Sequence, residues 1–408
     1  MNIMFINPYA GSMRYGMQLR PYYLAKKWVK IGHQVTIVAA TYAHVRTHQP
    51  NPLGGITEEE EDGIRYVWLP TMEYEGNGLK RVINMMQFSW ALLRLRKQLA
   101  ERYQPDVVVA SSPHPFSIFG AEKIARQTGA KLVFEVRDLW PLTLIELGHK
   151  SPWHPFIMLM QYAENYAYRK ADKVVSLLPK ADRYMILHGM EPHKFTYLPN
   201  GIDVDEWQQV LEGGVPELHR ETIARYKAEG RFLLAYTGSH GLADSLHHLV
   251  AAADELRDQP VAFLCVGHGP EKAALEQLAA ERGLNNVAFL PPVSKAALLE
   301  LLTQMDVLYI GWKREEMYRF GVSPNKLFDY MMAAKPVIHA IEAGNDPVAA
   351  SGCGITIPPE DPQAIAQAIC TLRAMSGKER AEMGMRGREY VLAEHNLEQL
   401  AARFLADM

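Results

Sequence analysis

Cysteine is scarce and unpatterned in this chain: three residues, Cys265, Cys353 and Cys370, among 408. An odd number without metal-ligand spacing argues against a disulfide framework and a thiolate metal site, and suits reduced thiols inside a cell. No uninterrupted apolar run approaches the length that spans a bilayer. The opening MNIMFINPYAG has no basic region ahead of its short apolar run, so a signal peptide is not expected. Repeats and low-complexity tracts are missing too, apart from the acidic run Glu58–Asp62, which reads as a solvated loop before a strand. These absences leave a cytosolic protein, or one that sits on a membrane from the cytosolic side.

Hydrophobic content of 48% and charged content of 22% belong to a globular protein. A length of 408 residues suggests two or three domains. The small net charge of −3 hides a division. Residues 1–200 hold 24 Lys and Arg against 17 Asp and Glu, or +7, while residues 201–408 hold 19 against 29, or −10. The basic half is suited to an anionic partner: lipid head groups, a phosphorylated acceptor or, least of the three, nucleic acid, for which no motif is visible.

Strand-like apolar runs alternate with helical segments, the pattern of parallel sheets covered by helices. In the first half they are Ile3–Asn7, Gln34–Ala39, Ile64–Leu69, Val107–Ala110, Lys131–Val136 and Lys173–Leu177. After a stretch punctuated by Pro179, Gly189, Pro192, Pro199 and Gly201, a second series follows: Phe232–Tyr236, Val261–Val266, Val287–Leu290, Val307–Ile310, Pro336–His339 and Gly354–Ile357. The expectation is an α/β protein with two doubly wound, Rossmann-like domains, spanning 1–195 and 196–388. A terminal helix, 389–408, is free to pack back on the first. Ligands of such sheets bind beyond the carboxyl ends of the strands, so a cleft between the domains is the expected site.

The richest segment is Gly321–Ile338, GVSPNKLFDYMMAAKPVI. Ser323 reads as an N-cap and Pro324 as the first helical residue. The amides near Asn325 and Lys326 would then form an anion site, to which Lys326 adds a full charge. Asp329 lies three residues on and shares a helix face with Lys326. A carboxylate only accepts hydrogen bonds, which suits a pair of sugar hydroxyls. Phosphate and diol side by side describe a nucleotide sugar. Two further segments stand out. Leu79–Arg102 mixes Val82, Met85, Met86, Trp90 and Leu93 with six basic residues, as either a membrane-surface helix or an ordinary helix on a sheet. Trp153–Met160 is a second apolar stretch, a lipid-facing lip or core.

Several segments in serial order, among them GMQLRPYYLAKKWVKIGHQVTIVAA, YLPNGID, FLCVGHGPEKAAL, VAFLPPVSKAALLELLTQMDVLYIGW and SPNKLFDYMMAAKPVI, resemble the retaining glycosyltransferases of family GT4, which have the GT-B fold. RPYYLA, TYAHVR, FEVRDLWP and SPNKLFDYM resemble a branch acting in bacterial O-antigen, capsule and exopolysaccharide assembly, some of them N-acetyl-L-fucosamine transferases. The resemblance implies a nucleoside diphosphate sugar donor, a UDP-sugar by family habit. It also implies a polyprenyl-diphosphate-linked glycan acceptor, the inner face of the cytoplasmic membrane as workplace, and no metal cofactor. Asp329 falls on the family's second acidic residue, the one that holds the donor ribose. Gly321 stands where the first acidic residue belongs, so sugar contacts are expected from backbone groups of Val322, Ser323 and Asn325.

The same resemblance assigns other positions. Lys326 becomes the main diphosphate cation, because the loop Gly238-Ser239-His240 replaces the Arg and Lys found in many relatives. Gly238 keeps backbone amides close to phosphate. Gly267 belongs to the glycine turn of the donor domain, and Pro291 to Val293 to the segment that reads the nucleobase. In the first domain Gly11 and Ser12 end the loop after the first strand. Arg137 and Asp138 follow the fifth strand, where many relatives carry a catalytic-site His; an arginine cannot be a base at neutral pH, so Arg137 suits an acceptor phosphate, or else a salt bridge with Asp138 or Glu135. His114 is the remaining catalytic candidate. Asp203-Val-Asp205 has the DxD spacing of metal sites in another transferase fold, but here it belongs to the NGID turn. Two other readings stay open: a sugar-nucleotide epimerase of related fold, and a catalytically silent nucleotide-sugar-binding partner.

Overall fold

The computed structural model describes residues 1–16, 19–50, 55–76, 78–208, 214–406 and 408. Residues 17 and 18, inside the first resembling segment, lie outside the described residues. The chain forms two compact units: Met1–Asn200 with Leu397–Met408, and Gly201–Asn396.

The first unit is built on β1 (Asn2–Ile6), β2 (Gln34–Ala40), β3 (Thr57–Glu61), β4 (Ile64–Leu69), β5 (Val107–Ser111), β6 (Lys131–Val136), β7 (Lys173–Ser176) and β8 (Phe195–Tyr197). Their order is β3-β4-β2-β1-β5-β6-β7-β8. All neighbours are parallel except β3, which runs antiparallel to β4. The central strands are buried on both faces, which is why they read as unbroken apolar runs.

Glu58–Asp62, expected as a solvated loop, instead supplies most of the edge strand β3. Its glutamates have specific partners: Glu59 accepts from Tyr15 Oη (2.8 Å) and Trp68 Nε1 (2.5 Å), and Glu61 from Ser12 Oγ (2.6 Å). An edge strand needs to bury only one face, so side chains of low strand propensity are tolerated when they are paired.

The second unit contains β9 (Phe232–Ser239), β10 (Val261–His268), β11 (Val287–Leu290), β12 (Val307–Gly311), β13 (Val337–Ala340) and β14 (Gly354–Ile357). The order is β11-β10-β9-β12-β13-β14, all parallel. Both units are therefore doubly wound α/β sheets.

The C-terminal segment divides later than 389. The helix Gly377–Glu394 stays with the second unit, and only Leu397–Leu405 belongs to the first. There Phe404 meets the rings of Trp28 (5.2 Å between centroids) and Phe5 (6.5 Å), and Trp28 Nε1 donates to Ala401 O at 2.9 Å.

The long helix Leu79–Tyr103 packs one face into the first unit, as an ordinary helix on a sheet does. Met85, Phe88, Leu92 and Leu99 are buried, while Leu79 and Trp90 stay 74% and 61% exposed. Among the described residues no helix is long and apolar enough to cross a membrane.

Candidate active site

In the second unit, β9 and β10 end in register with Gly238 opposite Gly267. Both backbones lie at positive φ, +129° and +151°. A Cβ on Gly267 would stand 1.9 Å from Gly238 O, so these strand ends pass too close for any side chain. On the other side of Gly238 lies Lys326, whose Cε is 2.8 Å from where a Cβ would be.

Lys326 is positioned by the helix Asn325–Met332 that follows β12. Tyr330 of that helix clamps β9: its hydroxyl accepts from Thr237 N (2.7 Å) and donates to Thr237 O (3.3 Å). Lys326 Nζ then lies 2.7 Å from Tyr236 Oη, 3.3 Å from Asp244 Oδ1 and 4.1 Å from the Tyr236 ring centroid. Burial lowers the Lys326 ammonium pKa, and the Asp244 charge and hydrogen bond oppose it. One turn further on, Asp329 is buried and takes a 2.5 Å ion pair from Lys295.

Several expected details differ. The helix starts at Asn325, with Pro324 as its cap residue in an extended conformation and Ser323 one residue earlier. Proline's fixed φ serves the boundary, but here it lies just outside the first helical position. His240 is fully buried between Tyr236 and Phe289, with neither ring nitrogen hydrogen-bonded. Its amide also donates to His268 O at 2.9 Å, so the group offered for diphosphate is turned into the core. Ser239 is exposed. Pro291 O already accepts from His219 at 2.9 Å, and Val293 packs partly buried against the core. Both backbone groups of Val322 are held by Asn345. Asp203 Oδ1 accepts from Asp205 N at 3.2 Å, closing a turn. No group of three or more potential metal ligands occurs among the described residues.

In the first unit the polar candidates gather at the carboxyl ends of β1, β5 and β6. Gly11 O accepts from Tyr66 Oη (3.2 Å), and Ser12 is buried against Glu61. Arg137 N donates to Ser112 Oγ at 2.8 Å, and its Nε and Nη1 are enclosed without a partner. The expected alternative bridge to Glu135 does not form. Glu135 pairs with Arg20 at 2.9 Å and accepts from Ser111 Oγ at 2.6 Å. Asp138 is exposed.

His114 is 1% exposed, sits edge-on to Tyr9 at 6.0 Å, and has no partner at either nitrogen. Burial, then the Arg81 charge, push its pKa down to about 3 from 6.5. The folded state therefore holds it neutral, whereas the unfolded chain takes up a proton below about pH 6.5. Its contribution to stability is complete above pH 6.5 and is lost as pH falls toward 3. Urea midpoints measured from pH 7 to 4.5 are expected to fall less steeply for His114→Gln than for the natural chain; parallel slopes would refute this.

Sequence reasoning missed Asp244, Lys295, Tyr236 and Asn345. Tyr236 and Lys295 sit inside or beside quoted motifs, but their polar partners are distant in sequence. Asp244 had no local signal at all.

Two family models match, a glycosyl transferase 4-like domain over residues 15–201 and glycosyl transferases group 1 over 231–374. The chain belongs to the GT4-like glycosyltransferases. It is 25% identical over 347 residues to WcaI of Escherichia coli (strain K12), assigned as a colanic acid biosynthesis glycosyl transferase, covering 83% of this chain and 84% of that one. Among solved structures, a sucrose-phosphate synthase from Thermosynechococcus elongatus superposes with a TM-score of 0.73 at 17% identity, over 98% of this chain and 96% of the other. Anabaena HepE, solved with UDP-glucose, gives 0.66 at 16% identity, over 100% and 99%. Both share the GT-B fold with this GT4-like transferase.

Proposed function

We propose that this glycosyltransferase moves a sugar, with retention of configuration, from a UDP-sugar to a lipid-linked glycan acceptor in bacterial surface polysaccharide synthesis. The carrying observation is the placement of Lys326 against the Gly238 turn with Asp329 one helical turn away. Diphosphate on Lys326 and the glycine-turn amides leaves Asp329 to take the ribose diol, Lys295 yielding or sharing the carboxylate. Leaving-group charge is stabilised by cation and backbone dipoles fixed in advance. In front-face substitution the departing phosphate helps deprotonate the acceptor, and no metal is needed. HepE's complex with UDP-glucose supports the donor class, and the WcaI likeness supports the pathway class.

Arg137, with two enclosed and unpaired guanidinium nitrogens, suits the acceptor phosphate. Peripheral membrane attachment is supported by exposed Leu79, Trp90, Trp153, Met158, Leu159 and Tyr162 beside basic Lys80, Arg94 and Lys97.

The test is thermal stability with UDP, GDP and dTDP, for the natural chain and Asp329→Ala. Ligand at a hundred times its dissociation constant stabilises by about 2.7 kcal/mol. A shift with UDP that Asp329→Ala abolishes is expected. No shift with any nucleotide would overturn the donor reading.

A further inference from the structure

The backbone that precedes the Lys326 helix is held from outside its own loop. Asn345 lies in the connection after β13 and engages one residue twice: Val322 N donates to its Oδ1 at 2.7 Å, and its Nδ2 donates to Val322 O at 3.1 Å. A side-chain amide here replaces a strand partner and fixes the peptide planes on both sides of Val322. Gly321 before it sits at φ +108°. A glycine at positive φ followed by proline three positions on has several low-energy paths, so the local sequence leaves the direction of this loop unset.

Asn345 is itself immobilised from both sides. On one side Gly344 N donates to Tyr318 O at 2.7 Å, and a Cβ on Gly344 would stand 2.2 Å from Arg319 O. On the other, the Asp346 carboxylate collects four donors: Val348 N (3.1 Å), Ala349 N (3.2 Å), His339 Nδ1 (2.9 Å) and Thr356 Oγ1 (2.5 Å). Burial opposes ionisation of Asp346, but the His339, Thr356 and backbone bonds outweigh it and hold the carboxyl at about 2. Residue 345 is thus a fixed post between two anchored neighbours.

We infer that Asn345 is a positioning residue for the sugar half of the donor: by fixing the Val322 peptide it sets how the Ser323–Asn325 backbone meets the sugar. This rests on the donor-site reading above. It also redistributes roles within the loop, since the Val322 backbone groups are spent on Asn345 and sugar contacts fall to the residues after it. UDP alone, held by Lys326, Asp329 and the glycine turns, depends far less on this post.

The experiment compares affinities for UDP and for UDP-glucose and UDP-N-acetylglucosamine, by calorimetry, in the natural chain, Asn345→Ala and Asn345→Asp. The aspartate keeps the acceptor for Val322 N and loses the donor to Val322 O. Two hydrogen bonds predict, for Asn345→Ala, a roughly 10- to 100-fold weaker hold on the preferred UDP-sugar, with UDP changed less than about 3-fold. Asn345→Asp, which sets a carboxylate oxygen against the Val322 carbonyl, is expected to weaken the UDP-sugar at least as much as Asn345→Ala, and it decides the matter if Asn345→Ala does not fold. Equal weakening of UDP and UDP-sugar, or no weakening in a folded variant, would overturn the inference while leaving the donor site standing. A natural chain that binds neither ligand would overturn both.

Discussion

Lys326→Ala is expected to lower the sugar-transfer rate by about 10²- to 10³-fold, the loss typical of removing one preorganised stabiliser of developing negative charge. In the proposed donor site that charge would appear beside the ammonium, which lies over Gly238 and within 3.3 Å of Asp244 and Tyr236. Asp244 matters to the size of the effect. It already holds the cation in place, so on the proposed mechanism growing leaving-group charge would meet a cation that need not be recruited from solvent. Arginine is a poor substitute, because its planar fork needs more room than the gap above Gly238 offers. Glu315→Ala, on the connection before the helix, is expected to change the rate by less than about 3-fold, since the part-buried carboxylate is already paired with Lys313 at 3.3 Å and such a pair acts weakly at a distance. Steady-state kinetics on both variants checks the ratio; equal losses would refute the assignment of Lys326.

Arg20→Met is expected to cost the first unit about 3–5 kcal/mol, because it strands a buried carboxylate. Glu135 is wholly enclosed, and Arg20 is its only cationic partner in the described ion pairs. The guanidinium also donates to Leu198 O (3.1 Å), Pro199 O (2.7 Å) and Asn200 Oδ1 (3.1 Å), tying the segment after β8 to the centre of the sheet. Urea denaturation of Arg20→Met against Arg20→Met/Glu135→Met separates the two contributions. The double variant should recover a large part of the loss, as buried ion pairs replaced by apolar residues commonly do. No recovery would mean that the carbonyl contacts, not the charge, dominate.

Strand positions were legible because parallel strands buried on both faces leave no polar alternation to misread. The edge strands β3 and β8 were not: Phe195–Tyr197 is only three residues long, and TEEEE carries the composition of a loop and becomes a strand only through Tyr15, Trp68 and Ser12. The same boundary divides the candidate site. Lys326 and Asp329 were readable because three residues on one helix fix their common face. Asp244, 82 residues before Lys326, and Lys295, 34 before Asp329, come from loops and helices brought in by the sheet. His240 illustrates the converse: its position in a glycine turn suggested a ligand contact, and packing against Phe289 of another strand decided its direction. Val322 was readable as part of the loop, but not as a residue whose backbone is already engaged.

The helix Leu397–Leu405 has a consequence for biogenesis. Trp28 and Phe5 receive their cover from residues that leave the ribosome only after the whole of Gly201–Asn396. A nascent chain that has completed its first sheet therefore waits with an apolar seam open while the second sheet forms, and closes it last by a contact spanning 373 residues. The amino-terminal half is thus finished by the carboxyl-terminal end, and the two halves mature in an order opposite to the one in which they begin.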